Sequence, residues 1–414
     1  MSSRPVQLLF GGASFGPSMS SEFGSLEATK HALDLLGASG VKSIDTARIY
    51  PDSEEYLGQA GAAARFSIDT KYPGGFAPTA SSKEGVIASI EESLKALKTE
   101  QVDVYYIHAP DRRVPLQDLL AGIDTVYRSG KFKRLGLSNF LADEVKEIIH
   151  ICKENNYVLP SVYQGNYNAV ARHSESALLQ ILREHGIAYY AYSPIAGGFL
   201  TKDVEALVAG GSGRWDPKTP TGGIFNALYA KPAMLEGLKL WGELAAEAGI
   251  PKAELAYRWV AYHSVLKAEF GDGLIFGSRN ERQLRHTLEG LRNGPLPPDV
   301  VERVERVWEI VKDEAPVDNF NRLNSIVSDA LNTGVATVTK GTRLAGSSQA
   351  AAAVKQIQRY ASGACFFHET MSSLRRIGRS IPMAVREIVV RSLATDVLSG
   401  AQCVLQDGPE YANR

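Results

Sequence analysis

Short apolar runs alternate along the chain with longer stretches whose apolar positions recur at helical spacing. Runs rich in β-branched and aromatic residues predict strands. Eight such runs occupy residues 6–11, 41–46, 66–71, 102–108, 134–139, 162–168, 187–194 and 271–278. Between them lie helical segments such as 82–98, which carries Val86, Ile90 and Leu94 on one face. This alternation predicts parallel β/α units.

Two α/β architectures could hold these units. A doubly wound sheet more often has a G-x-G-x-x-G dinucleotide loop after its first strand. Residues 11–16 read Gly-Gly-Ala-Ser-Phe-Gly, which is glycine-rich but misses that spacing. Eight strand–helix units instead predict an α/β protein of the (β/α)8 TIM-barrel class.

The connection 195–231 is unusually long and rich in Gly, Pro and Thr. Long connections in compact domains are usually functional lids or disordered linkers. This one follows the seventh strand, so we expect it at the carboxyl-terminal face of the barrel, where barrel active sites lie.

The composition changes near Asn321. Residues 1–321 carry a net charge of −6 and all four tryptophans, whereas residues 322–414 carry a net charge of +5. Segments 346–361 and 382–399 look helical, and no catalytic spacing stands out there. We therefore expect a barrel over 1–321 and a C-terminal, helical appendage of unknown role over 322–414.

Composition limits the partners. The 414 residues include 45 basic and 46 acidic side chains, so no strong field exists to hold nucleic acid or an anionic membrane. No apolar run reaches the length of a membrane span, and the first residues do not resemble a signal peptide. The cysteines, Cys152, Cys365 and Cys403, are too widely spaced for a disulfide framework or a zinc site. A cytoplasmic protein without a metal is expected.

Polar residues stand at the ends of several predicted strands. Asp45 lies at the end of the second and Tyr50 follows it, Lys71 ends the third, and His108 ends the fourth. Because the carboxyl ends of barrel strands converge on one face, these side chains are expected to meet there.

These residue types together suit proton transfer to a carbonyl group. The pKa of tyrosine is near 10, and a neighbouring ammonium lowers it by favouring the phenolate. An aspartate keeps the lysine charged, and a histidine holds the carbonyl oxygen, which makes a tuned general acid. Taken singly, each residue has an ordinary structural explanation, such as a turn cap or a surface aromatic; the combination is what favours chemistry.

Longer motifs around these residues match a known family. They cover 44–50, 53–58, 70–71, 106–111, 130–140, 163–168 and 191–198. Over residues 5–321 the chain resembles the aldo-keto reductases, (β/α)8 oxidoreductases that use a nicotinamide cofactor, and most of all their aflatoxin-aldehyde reductase-like branch. The segment 202–230 matches only loosely.

The resemblance implies a role for each matching residue. Tyr50 would be the proton donor, Lys71 and Asp45 its partners, and His108 the group that orients the substrate. The expected cofactor-binding residues are Asp45, Ser138, Asn139, Gln164, Tyr192, Ser193, Pro194, Ile195, Gly197, Arg214, Gly277, Ser278, Arg279 and Gln283. Among them Tyr192 would stack on the nicotinamide.

The resemblance also implies a choice of cofactor. A guanidinium suits a phosphate by bidentate geometry, so Arg279 favours NADPH over NADH. The sequence departs from the family at Thr287, where an asparagine is frequent, and this weakens one expected adenine contact.

The function expected is NADPH-dependent reduction of an aldehyde or ketone to an alcohol, with secondary metabolism as one setting and a homodimer as one assembly. An NADPH-binding regulatory or redox-sensing subunit with slow turnover is the main alternative. A phosphate-binding barrel lyase is a third, and it gives Lys71 no obvious Schiff-base role.

Overall fold

The computed structural model describes residues 5–19, 21–210 and 215–321. Eight parallel strands pair in chain order, and β1 also pairs with β8, so the sheet closes into a barrel. The strands are β1 (Gln7–Gly11), β2 (Ser43–Asp45), β3 (Ser67–Tyr72), β4 (Val102–Ile107), β5 (Phe132–Ser138), β6 (Pro160–Asn166), β7 (Ala188–Tyr192) and β8 (Gly273–Phe276). The (β/α)8 barrel predicted from the sequence is confirmed.

Helices alternate with these strands. They are α1 (Leu26–Ala38), α2 (Ser53–Gln59), α3 (Lys83–Leu97), α4 (Leu116–Arg128), α5 (Ala142–Glu154), α6 (Ala177–Glu184), α7 (Val204–Val208), α8 (Pro220–Tyr229), α9 (Pro232–Ala248), α10 (Lys252–Arg258), α11 (Glu281–Arg292) and α12 (Pro298–Val311). Helix α3 shows the predicted buried face, and the Ser82 side chain caps its start by accepting from the Gly85 amide. Across the described ranges, no helix is both long and apolar enough to cross a membrane.

Apolar side chains from five of the strands pack together in the barrel. They are Leu9, Val104, Tyr106, Val162, Ala188, Tyr190 and Ile275. Tyr106 fits because its neighbour on β5 is Gly136: a Cβ atom there would lie 2.2 Å from Cδ1 of Tyr106. The interior is therefore a packed core, and the polar ends of the strands lie above it.

The described residues divide into two compact units, the first within 1–201 and 236–318 and the second within 202–235 and 319–321. The barrel strands all belong to the first unit. In the second, the described part contains α7 and α8, and the ring of Trp215 lies 5.5 Å from Phe225 and 6.2 Å from Tyr229. The long connection after β7 thus contains two helices, which its Gly- and Pro-rich sequence did not predict. The predicted helices 346–361 and 382–399 lie outside the described residues.

Candidate active site

The carboxyl ends of β2 and β3 place a buried ion pair beside a tyrosine. Lys71 is fully buried, and its Nζ donates to both carboxylate oxygens of Asp45 and to the backbone oxygen of Thr46, each at 2.7 Å. The ring centroid of Tyr50 lies 5.3 Å from the same Nζ. The lysine is therefore held in one position with its charge next to the phenol.

The charge on Lys71 is favoured by its neighbours. Burial alone lowers the pKa of this lysine, but the Asp45 carboxylate and the Tyr50 phenol outweigh burial and raise it above its usual value. Lys71 therefore stays an ammonium at neutral pH, because the Asp45 carboxylate interacts more favourably with the charged form.

His108 completes the group of four predicted catalytic residues. Its ring meets the Tyr50 ring edge to face, with centroids 5.8 Å apart. Burial, and then the charge of Lys71, lower the pKa of His108 well below its usual range. Its Nδ1 is buried and has no hydrogen-bond partner among the described residues. The imidazole is therefore neutral at neutral pH and can carry one N–H as a donor.

The segment that carries Tyr50 is fixed at several points. The hydroxyls of Thr46 and Ser53 hydrogen-bond at 2.7 Å, and Ser53 Oγ donates to the Gly12 oxygen. The buried Glu54 accepts from Thr70 Oγ1 at 2.6 Å and from Arg48. These bonds tie the loop after β2 to the end of β1 and to β3, so the predicted motif around Ser53 and Glu54 holds in place the segment that carries the tyrosine.

The predicted nicotinamide residues form a connected set next to this site. Asn139 adopts a left-handed backbone (φ 63°), donates from Nδ2 to the His108 oxygen and accepts from the Tyr192 hydroxyl, both at 2.8 Å. It also donates to Ser138 Oγ. Gln164 Nε2 donates to Asp45 at 2.7 Å. Four predicted residues on β5, β6 and β7 are therefore joined to the Asp45 and His108 groups, and their role in holding nicotinamide stays a prediction.

The predicted phosphate-binding segments follow β7 and β8. After β7, residues 193–198 include four left-handed positions: Ser193, Ala196, Gly197 and Gly198. The amides of Ala196 and Gly198 donate to the oxygens of Ser193 and Ile195, so this is a tight turn bonded within itself, and its role in binding a phosphate stays a prediction. Pro194 and Ile195 lie within this run. Arg214 lies outside the described residues.

After β8, Gly277 and Ser278 lead into α11. The Ser278 hydroxyl is buried and has no partner within the described chain. Gln283 accepts from the Arg279 backbone amide at 3.0 Å, and the Asn280 side chain caps the helix. Thr287 is buried on α11 beside Tyr257. A buried hydroxyl next to a capped helix start fits a phosphate oxygen.

The sequence did not single out two further residues. Phe76, on the loop after β3, meets the His108 ring edge to face at 4.9 Å. Asp69 is fully buried two residues before Lys71, and its Oδ2 has no partner within the described part of the chain. Burial, and then the nearby Asp45, raise the pKa of Asp69 well above its usual value. The period of two along a strand could have placed Asp69 on the Lys71 face; no local signal marks Phe76.

Comparison with known proteins agrees with this geometry. The model of the aldo/keto reductase family matches residues 7–309. Oxidoreductase sirO of Leptosphaeria maculans is 37% identical over 316 residues, covering 75% of this chain and 95% of that protein. Human aflatoxin B1 aldehyde reductase member 2 is 35% identical over 296 residues, covering 67% of this chain and 80% of its own length. Aldo-keto reductase pigE of Monascus ruber is 32% identical, with 68% and 86% covered. The chain belongs to the aldo/keto reductase family.

Proposed function

We propose that this protein reduces an aldehyde or ketone to an alcohol with NADPH, and that Tyr50 is the proton donor. The observation that carries the proposal is the fully buried Lys71, which is fixed between Asp45 and Tyr50. Such a pair has a high desolvation cost, and a position next to a titratable phenol gives it a chemical use. Relatives named as aldehyde reductases support the substrate class.

Each residue has a defined task in the reaction. When bound, the nicotinamide supplies the hydride that reaches the carbonyl carbon. Negative charge then develops on the carbonyl oxygen, where the Tyr50 hydroxyl and the neutral His108 ring act as hydrogen-bond donors. The proton moves from Tyr50 Oη to that oxygen, and the Lys71 ammonium stabilises the phenolate that remains. Asp45 keeps Lys71 charged and oriented.

The test of the proton donor is Tyr50→Phe, which removes only the phenol oxygen and its proton. We expect carbonyl reduction to fall by about 100- to 10,000-fold, the usual contribution of general acid catalysis, with NADPH binding retained. Turnover is measured by NADPH oxidation on aromatic aldehydes, dicarbonyls and larger ketones. A Phe variant that keeps half of the wild-type turnover, with chemistry rate-limiting, would contradict the role. Slow wild-type turnover on every carbonyl would favour the regulatory alternative.

The proposal assigns the cofactor to the segments after β7 and β8. The buried Ser278 hydroxyl and the adjoining start of α11 support a phosphate there. We assign the 2′-phosphate to Arg279 and the nicotinamide to Ser138, Asn139, Gln164 and Tyr192. The remaining proposed contacts are Ser193, Pro194, Ile195, Gly197, Arg214, Gly277 and Gln283.

Arg279→Ala tests the choice between NADPH and NADH. It is expected to weaken NADPH binding by about 1.5–3 kcal/mol, the scale of a hydrogen bond to a charged group. NADH binding should change little, because NADH has no 2′-phosphate. Fluorescence titration of both cofactors measures this. Equal losses for the two would mean that Arg279 supports the fold instead.

Residues 322–414 are proposed to add nothing to the chemical step. The family match ends at residue 309, which supports this division. A chain shortened to 1–321 is expected to stay folded and to keep its kcat. Loss of turnover with normal NADPH binding would mean that the appendage shapes the substrate site.

A further inference from the structure

The loop between β3 and α3 forms one wall of the site, and it is fastened at its start. Gly75 donates its amide hydrogen to the Ala109 oxygen at 3.0 Å. Gly74 has a left-handed backbone (φ 56°), and a Cβ atom there would lie 2.2 Å from the same oxygen. The two loops that follow Lys71 and His108 are therefore in backbone contact directly beside the catalytic residues.

A single guanidinium fastens the same loop farther along. Arg113 donates from Nη2 to the oxygens of Ala77 and Thr79 and from Nη1 to the oxygen of Pro78, all within 3.0 Å. It also makes a bidentate pair with Asp111, through Nε at 2.7 Å and Nη2 at 3.0 Å. We call this arrangement the Arg113 clamp. It joins three consecutive carbonyls of one loop to a carboxylate of the next.

Asp111 takes part in the fastening as well. Its side chain is fully buried, and its Oδ2 accepts from the Ser81 amide at 2.7 Å. Burial opposes the charge, but the bonds from Arg113 and Ser81 hold the pKa of Asp111 below its usual value. Charge-assisted, bidentate bonds are among the stronger hydrogen bonds, so the Arg113 clamp holds the backbone of the loop after β3 in one position.

The clamped loop presents Phe76 to the reaction site. Phe76 immediately precedes the three clamped carbonyls, and its ring lies 4.9 Å from His108. Tyr50 meets His108 edge to face from another direction. Aromatic rings arranged in this way favour flat, unsaturated groups, which pack edge to face or offset against them.

We propose that Arg113 is a positioning residue that holds Phe76 against His108, and that the resulting aromatic wall selects carbonyl compounds with an aryl or conjugated group next to the carbonyl. The inference rests on the proposed reductase function. Arg113 acts through Phe76 and takes no part in hydride or proton transfer.

The first test compares the KM values of an aromatic aldehyde and a straight-chain aliphatic aldehyde. Arg113→Ala should raise the KM of benzaldehyde about tenfold, the upper range for one aromatic contact. The KM of butanal and both kcat values should change less than about threefold on the same scale. Phe76→Ala should give the same pattern, and the double variant should be no worse than Phe76→Ala, because the two residues act as one unit. Additive losses would overturn the proposal.

Arg128→Ala is a matched control. Arg128 pairs with Asp124 and donates to the Asn156 oxygen, while Asp124 accepts from the Val158 amide. This is also an arginine that pairs with an aspartate and donates to a backbone oxygen, but both side chains lie on α4 and neither contacts the loop that carries Phe76. The control should leave the ratio of the two KM values unchanged, whatever it does to the thermal midpoint.

Amide hydrogen exchange gives a readout that needs no activity. In Arg113→Ala the Gly75 and Ser81 amides should exchange faster, whereas Arg128→Ala should speed exchange at Val158 only. Arg113→Lys keeps the charge, but a lysine cannot reach three carbonyls and the carboxylate together. Its Gly75 and Ser81 amides should therefore exchange at rates between those of the wild-type protein and Arg113→Ala.

Two further outcomes would overturn the proposal. One is unchanged exchange at Gly75 and Ser81 in Arg113→Ala, and the other is faster exchange with an unchanged KM ratio. If the wild-type protein reduces neither aldehyde, the proposed function fails and the substrate role fails with it. The exchange data would then still report whether Arg113 fixes the loop.

Discussion

Two buried ion pairs lie at opposite ends of the same barrel and have different uses. At the amino-terminal end, just before β8, Asp272 pairs with Arg183 through both carboxylate oxygens. The same carboxylate accepts from the backbone amides of Tyr189 and Lys267, each at 2.8 Å. At the carboxyl-terminal end, Asp45 pairs with Lys71 and accepts from Gln164. Both carboxylates are buried and well provided with donors.

The surroundings of the two cations differ. The Arg183 side chain is 20% exposed and lies over the Phe270 ring, so its charge is partly solvated and its ring partner is a phenylalanine, which cannot exchange a proton. Lys71 is fully buried and faces a phenol and, through its charge, an imidazole. The comparison teaches that pairing alone indicates structure, whereas pairing next to groups that can exchange a proton indicates chemistry.

The largest effect is expected from breaking the Asp45–Lys71 pair, which we propose to be catalytic. Lys71→Met should lower carbonyl reduction by at least about 100-fold, because the phenolate loses its ammonium partner. It should also destabilise the fold by about 3–5 kcal/mol, because the buried Asp45 carboxylate keeps its charge without a cation. Steady-state kinetics and urea unfolding measure the two losses. Near-normal turnover in the folded variant would contradict the assignment.

The structural pair should affect stability alone. Asp272→Asn removes the charge opposite Arg183 and turns an NH2 group toward backbone donors, so we expect a loss of about 3 kcal/mol on urea unfolding. Turnover per folded molecule should not change. Arg306→Ala, which breaks an exposed pair with Glu302, is the control and should cost less than about 0.5 kcal/mol. A fall in kcat in Asp272→Asn would contradict the expectation that the pair at the amino-terminal end serves stability alone.

A smaller effect concerns pH. The folded protein holds the pKa of His108 well below the ordinary value of 6.5, so below that pH the unfolded chain binds a proton that the folded protein does not. Falling pH therefore favours unfolding, by up to about 1.4 kcal/mol per pH unit, until the folded histidine also titrates. In His108→Gln the free energy of unfolding should no longer show this part of its dependence on pH. Parallel curves of unfolding free energy against pH for the two proteins would contradict the buried neutral histidine.

The sequence predicted the barrel, and the convergence of the four proposed catalytic residues, for one physical reason. Strand residues alternate between two faces, and the carboxyl ends of parallel strands meet. Asp45, Lys71 and His108 stand at such ends, so their convergence follows from the strand count. The position of Tyr50 in the site could be predicted because it lies only five residues after Asp45 and because it belongs to the family motif.

The loops could not be predicted in the same way. Phe76 and Arg113 are 37 positions apart, and the loop that carries Phe76 is held by contacts with the next loop rather than by local periodicity. Helices α7 and α8 were not predicted because they are short, 5 and 10 residues, and lie in a Gly- and Pro-rich stretch. Tertiary contacts, not local preferences, decide these regions.

The Arg113 clamp joins the loops after β3 and β4, and this limits which changes in loop length and sequence the barrel can accept. An insertion in either loop would carry the three carbonyls or the Arg113 guanidinium out of register with its partner, so the loops must change length together. Gly74 limits the sequence of the loop as well, because any side chain there would meet the Ala109 oxygen. New substrate preferences in descendants of this protein are therefore expected to arise by replacing Phe76 within a constant backbone, with Asp111 and Arg113 inherited as a pair.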